Sequence, residues 1–330
     1  MKVLITGVGG FVGSHLVGFL RREHPEAEVF GLTRPHGGAG AALPEGLRVL
    51  EADLNDPAGL EPVMDVVAPD RVLHLAGQSS VHLSWLDPGG TLRTNVLGLV
   101  NLVDALRRRG LRPPLLVVGS AEEYGPVGPE DLPLREDAPL LPASPYAASK
   151  AAQGLLAAEY ARGLGLPVVR TRTFHHTGPG RGEAFAESSF ARQIAEIEAG
   201  LRERVLLVGN LDSVRDYTDV RDVVRAYWAL LDHAAELRGG VLNVCSGRGR
   251  KIRELLDVLL ARAEVKVEIR VDQERLRPSD VPAQVGDPSL LRSLTGWEPR
   301  IPLERSLAEL LDDWRARVRA ALPRAKEEAR

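Results

Sequence analysis

The sequence predicts an α/β protein, a doubly wound parallel sheet joined to a smaller α/β unit. Three observations carry this. Short, continuous apolar runs alternate with helical patterns through the first half of the chain, as strands covered on both faces require. A glycine-rich turn joins the first such run to the first helical pattern. Past residue 172 the alternation loosens into longer loops.

In chain order, Val3-Leu4-Ile5 reads as the first strand, and Val12, Leu16, Phe19 and Leu20 recur behind it at helical spacing. Val29–Leu32, Leu47–Leu50, Val72–Leu75, Leu115–Val118 and Val168-Val169 read as further strands, with helices over 92–109 and 146–164. Gly125–Pro145 breaks the rhythm with six prolines in 21 residues. A long loop between a strand and a helix is expected to form a wall of a site. Beyond it the pattern predicts a helix over 185–199, a strand Val205–Val208, a helix over about 220–235 and a strand Val241–Val244. Amphipathic helices follow over 251–262 and 303–321, the latter striped by Leu307, Leu310, Leu311, Trp314 and Val318. Residues Pro323–Arg330 are expected to fray. The division expected is 1–173 plus about 214–245 for one unit, and about 174–213 plus 246–330 for the other.

Composition narrows the function. Of 330 residues, 44% are apolar and 26% charged, which is ordinary for a globular protein. A net charge of −3 argues against a nucleic-acid or membrane-surface binder. A single cysteine, Cys245, excludes an internal disulfide and a Cys-rich zinc site. No apolar run approaches a membrane span and no signal-peptide pattern opens the chain, so the expected location is the cytoplasm. Of the 42 basic residues 37 are Arg, so any one Arg is a weak marker of a site.

Thr6-Gly7-Val8-Gly9-Gly10-Phe11-Val12-Gly13 lies between a strand and a helix. Gly7 permits a tight turn, Gly10 lets the backbone approach a pyrophosphate, and Gly13 lets helix and strand pack closely. The helix N-terminus adds free N–H groups and partial positive charge. This is a dinucleotide loop in its confirming context, and it makes the sheet Rossmann-type. The second strand ends in Gly31-Leu32-Thr33-Arg34, without the acid that binds an NAD ribose. Arg34 suits a 2′-phosphate, so NADPH is the preferred cofactor and NADH the alternative. Asp53, followed by Leu54, is placed either to bind the adenine amino group or to cap its own turn.

Ser144 and Pro145 form a helix start, which puts Tyr146 in the first turn and Lys150 four residues on along the same face. A nearby ammonium and the positive helix end are expected to lower the phenol's pKa from about 10. Ser120 ends the preceding strand, where ligands of such sheets bind, and its hydroxyl can donate to a carbonyl oxygen. Tyr146 can protonate that oxygen as a hydride arrives. His175 and His176 invite a metal, but adjacent residues of an extended segment point opposite ways and no acidic or Cys cluster accompanies them, so no metal is expected. Glu123 is expected to face solvent, and Cys245 to be a small core residue.

The glycine loop, Ser120 and the Tyr146/Lys150 pair resemble the extended short-chain dehydrogenase/reductases, as do His74-Leu75-Ala76-Gly77 and Asn95-Val96-Leu97-Gly98. Segments 172–180, 208–211, 214–220, 243–247 and 276–282 narrow the resemblance to GDP-6-deoxy-D-mannose reductases. The resemblance implies reduction of GDP-4-keto-6-deoxy-D-mannose to GDP-D-rhamnose. Tyr146 would be the proton donor, Lys150 would sit on the nicotinamide ribose and Ser120 on the sugar carbonyl; Leu75, Ala76, Gly77 and Asn95 would line the cofactor. It further implies Arg215 and Arg277 on the diphosphate, Asp280 on a ribose, Asn210 near the guanine and His175 on the substrate, in a position where the family commonly has Asn. A homodimer built from the helices 92–109 and 146–164 is also implied. Glu122 matches the Glu that serves as base in the related 4,6-dehydratases, so a lyase stays open. Their loop typically carries Asp where this chain has Val12. A sugar 4-epimerase and a non-catalytic NADP-binding sensor complete the alternatives, and the C4 stereochemistry (rhamnose or 6-deoxytalose) stays open.

Overall fold

The computed structural model describes residues 1–35, 47–276 and 281–327, with side chains as far as Leu322. Six strands run through the first half: β1 (Lys2–Thr6), β2 (Glu28–Thr33), β3 (Arg48–Glu51), β4 (Arg71–His74), β5 (Leu115–Ser120) and β6 (Val168–Thr173). Seven more follow: β7 (His175–Thr177), β8 (Val205–Val208), β9 (Val214–Asp219), β10 (Val241–Val244), β11 (Gly249–Lys251), β12 (Glu268–Val271) and β13 (Ala283–Gln284).

Among the described residues the large sheet has seven strands in the order β10-β6-β5-β4-β1-β2-β3, all parallel. Alternate residues of each strand go to opposite faces. Val3, Ile5, Leu73 and Leu116 join one core with helices Phe11–Glu23 and Val220–Leu231. Leu4, Val72, Leu115 and Val117 join another with helices Pro57–Val67, Gly98–Arg108 and Pro145–Leu164. Each such side chain contributes roughly 1.5–3 kcal/mol by leaving water, which is why these strands are apolar throughout rather than alternating. The strand order reverses between β1 and β4, and a crevice opens at the strand C-termini at such a switch point. The α/β doubly wound architecture expected from the sequence is the one observed.

The second unit holds β9 between β11 and β13, with β7 also on β9, and the pair β8–β12. Helices Ala186–Glu198, Ile252–Leu260 and Leu303–Glu327 close over its core of Phe190, Ile194, Leu206, Leu256 and Leu310. Three expectations change. Residues 214–219 pair within the small sheet, so the chain returns to the large unit at Val220 rather than at about 214. The C-terminal helix continues through Pro323 to Glu327. The proline-rich loop does not wall the main cleft: its Leu134 bridges to Gly286 and is buried with Tyr124, Phe174 and Cys245. Apolar anchors on the loop are satisfied by the second unit, which draws it away from the switch point. Cys245 is buried in that cluster, as expected of a core residue.

Candidate active site

A cleft of about 1510 Å³ runs from the glycine loop to the second unit. Gly7, Gly10, Phe11, Val12 and Gly13 form its floor. Gly7 has φ +72°, and a Cβ there would lie 2.8 Å from the backbone of Ala76. A Cβ on Gly13 would lie 2.6 Å from the carbonyl oxygens of Gly7 and Val8. The loop is glycine because strand, turn and helix have no room for more. Gly10 precedes the helix Phe11–Glu23 with no side-chain cap, which leaves its first N–H groups to a ligand.

Arg34 is exposed beyond the end of β2, on the cleft. Asp53 and Leu54 also line it, while Asp53 accepts the N–H of Asn55 at 2.9 Å, so the turn-capping role is present beside the cleft position. Leu75, Ala76 and Gly77 line it too. Asn95 does not. It is fully buried, accepts the Gln78 N–H at 2.7 Å, and donates to the Gln78 carbonyl at 3.0 Å and to Ser149 Oγ at 2.9 Å. Its amide makes these three hydrogen bonds in bracing the segment after β4, so it shapes the cleft without lining it.

Ser144 caps the helix Pro145–Leu164 by accepting the Ala147 N–H at 3.1 Å, which fixes Tyr146 in the first turn. Ser120 caps the turn after β5, its hydroxyl accepting the Glu122 N–H at 3.2 Å. Tyr146, Ser120, Glu122 and Lys150 all line the cleft. The expected acidification of the phenol is reversed. Burial pushes the Tyr146 pKa up to about 12; the Ser120 hydroxyl and Arg181 oppose the rise, while the charges of Glu122 and Glu123 add to it. The Lys150 ammonium is held against β5 and its own helix. It donates to the Val118 carbonyl at 2.8 Å and to Gln153 Oε1 at 3.0 Å. Burial pushes the pKa of Lys150 down to about 8, with Glu123 opposing. Glu123 is therefore no solvent-facing residue: it is 3% exposed.

On the substrate side, His175 packs against the Tyr217 ring at 5.4 Å, and Asn210 and Arg215 reach the cleft. Arg277 and Asp280 lie outside the described residues. His176 turns the other way and stacks on Phe11 at 6.0 Å. Among the described residues no group of three His, Cys, Asp or Glu is placed to hold a metal ion.

Sequence reasoning missed Arg181, Glu187, Tyr217 and Gln284, which all line the cleft and are buried. Arg181 pairs with Glu187 at 3.6 Å, and Glu187 accepts the Tyr217 hydroxyl at 3.1 Å. Arg181 was hidden among 37 arginines. Glu187 and Tyr217 have no local motif; what unites them is the packing of the helix Ala186–Glu198 against β9 through the core they share.

A family model described as GDP-mannose 4,6 dehydratase matches residues 4–310. The chain belongs to that family. Within the GDP-mannose 4,6-dehydratase family it is 38% identical to a GDP-6-deoxy-D-mannose reductase of Pseudomonas aeruginosa, over 96% of this chain and 98% of that protein. It is 31% identical to GDP-mannose 4,6 dehydratase 2 of Arabidopsis thaliana, over 94% of this chain and 86% of that one. Among solved structures it matches RMD from Pseudomonas aeruginosa complexed with NADPH, with a TM-score of 0.85, 38% identity and coverage of 96% and 99%. It also matches a Thermus thermophilus UDP-glucose 4-epimerase complex with NAD, with a TM-score of 0.83, 32% identity and coverage of 96% and 99%. The resemblance to extended short-chain dehydrogenase/reductases read from the motifs agrees with these matches.

Proposed function

We propose that this protein is an NADPH-dependent reductase of the 4-keto group of GDP-4-keto-6-deoxy-D-mannose, giving GDP-D-rhamnose. The observation that carries the reading is the convergence of Ser120, Tyr146 and Lys150 on one cleft floored by the dinucleotide loop. The 38% identity to a GDP-6-deoxy-D-mannose reductase, along almost the whole of both chains, supports the substrate. Arg34 at the end of β2, and the NADPH bound in the related structure, support the cofactor.

The residues present fit that cofactor: the uncapped helix start would hold the pyrophosphate, Arg34 the 2′-phosphate and Lys150 the nicotinamide ribose. NADPH, when bound, supplies the hydride. Ser120 holds the sugar carbonyl oxygen, and Tyr146 gives that oxygen its proton. A phenol at about 12 is fully protonated at neutral pH, which suits a donor in the reductive direction. His175, Asn210 and Arg215 form the sugar and nucleotide side, with Arg277 and Asp280 as further ligands by resemblance. A homodimer through Gly98–Arg108 and Pro145–Leu164 fits the exposed Leu97 and Leu155 beside and on those helices. Among the described residues no helix is long and apolar enough to cross a membrane.

Glu122 on the cleft favours one second reading, a GDP-mannose 4,6-dehydratase, in which that carboxylate would abstract a proton. The test supplies the keto sugar with NADPH and follows cofactor absorbance and product. Stoichiometric NADPH oxidation with formation of the 6-deoxyhexose is expected. Conversion of GDP-mannose to the keto sugar without consumption of cofactor would establish the lyase instead.

A further inference from the structure

Glu123 is a buried carboxylate that the mechanism above does not use. Its Oε1 accepts the peptide N–H of Ser120 at 2.8 Å, and its Oε2 lies 3.3 Å from Nε of Arg172. The carboxylate occupies the space over Gly119: a Cβ there would lie 2.3 Å from Glu123 Oε1 and 2.4 Å from the Thr171 carbonyl oxygen. The preceding carbonyl, that of Val118, accepts the Lys150 ammonium at 2.8 Å. Along three successive residues of β5, the strand end therefore carries the ammonium, the space filled by the carboxylate, and the residue proposed to hold the substrate carbonyl. From the other side, a Cβ on Gly154, one turn beyond Lys150, would lie 3.8 Å from Glu123 Oε2.

We propose that Glu123 is a positioning residue: it anchors the backbone of Ser120 and supplies the counter-charge that keeps Lys150 an ammonium. The inference rests on the cofactor and carbonyl roles given above for Lys150 and Ser120, not on the identity of the sugar. A buried ammonium loses its proton readily unless an opposite charge stands near. Several titratable and charged groups come from the elements packed around it. His74 at the end of β4, whose pKa burial pushes down to about 3, is neutral. Arg170 and Arg172 come from β6, and Arg172 is the ion-pair partner of Glu123. Glu122 and Tyr124 share the turn of Glu123, and Tyr146 lies one helical turn before Lys150. His82 and Arg93 come from the helical segments packed against this helix, and Asp87 caps one of them. Of the acids, Glu123 is the one that acts on Lys150.

The test compares wild type, Glu123→Gln and Glu123→Asp by NADPH fluorescence titration and by single-turnover hydride transfer across pH 6–10. Glu123→Gln keeps the size and the acceptor for Ser120 but removes the charge. Its alkaline loss of NADPH affinity should move to lower pH by about one unit, the effect of a single close opposite charge. Glu123→Asp keeps the charge but withdraws from Ser120. It should retain the wild-type limb while losing rate about tenfold at neutral pH. An unmoved limb in Glu123→Gln would overturn the proposal, as would full rate together with a shifted limb in Glu123→Asp. Should Glu123→Gln not fold with Arg172 unpaired, the double variant Glu123→Gln/Arg172→Met, which leaves neither buried charge, is compared with the single variant Arg172→Met, so that the two differ in the charge at residue 123 and the limb is expected at lower pH in the double variant. NADPH titration needs no sugar, so a wrong substrate would silence turnover and leave this readout intact.

Discussion

The guanidinium of Arg181 lies 5.0 Å from the centroid of the Phe11 ring. Phe11 opens the helix after the glycine loop, and Arg181 belongs to the segment leading from β7 into the second unit. One contact thus joins the cofactor half of the cleft to the substrate half, and it brings a buried cation to act on Tyr146.

Replacing Arg181 with Met removes the cation–π contact, commonly worth about 0.5–2 kcal/mol, and leaves the buried Glu187 without its ion-pair partner. Hydride transfer should fall at least tenfold, roughly 1.4 kcal/mol, because a buried cation that stabilises negative charge on Tyr146 as it releases its proton is then gone. Single-turnover NADPH oxidation reads this. An unchanged rate would reduce the contact to packing.

Tyr146→Phe keeps the ring in its buried place and removes the proton. General acid catalysis contributes about 10²–10⁴-fold, so the rate should fall by that order while NADPH still quenches protein fluorescence with wild-type affinity. A variant with undiminished turnover would assign the proton to another group.

Arg34 is exposed at the cleft, and a charge-assisted hydrogen bond contributes about 1.5–3 kcal/mol. Arg34→Ala should therefore raise KM for NADPH about tenfold or more and leave KM for NADH nearly unchanged. Parallel steady-state titrations with the two cofactors decide it. Equal losses with both would remove Arg34 from 2′-phosphate recognition.

Two histidines should make the protein acid-sensitive. Burial pushes His74 and His176 down to about 3 from an ordinary 6.5. Between those values the unfolded chain binds protons that the native state refuses, so stability falls as pH drops below about 6.5 and the loss is complete near pH 3. Urea midpoints should decline from pH 7 to pH 5, and His74→Gln should flatten part of that slope. A pH-independent midpoint in the wild type would contradict the burial of these rings as neutral groups.

What could be read from the chain follows the range of the interactions concerned. Ser144, Pro145, Tyr146 and Lys150 sit within one and a half turns of helix, and the observed cap and exposures follow from that spacing. The glycine loop was legible for the same reason. The acidity of Tyr146 was not, because it depends on desolvation and on which cation stands near. Lys150 turns to the carbonyl of Val118, 32 residues away in sequence. Asn95 misled because a motif position does not say which way a fully buried amide bonds.

By itself the sequence determined the strands of the large sheet, several of the helices and the dinucleotide loop, since these rest on periodicities and turns set by neighbouring residues, and its motifs carried the resemblance to the family. Tertiary structure decided which charges share the cleft. It buried Glu123 beneath Ser120, set Arg181 on Phe11, and took the proline-rich loop away from the site. Those outcomes depend on how two separately built cores meet, and the free energy of a charge is set by what surrounds it in space.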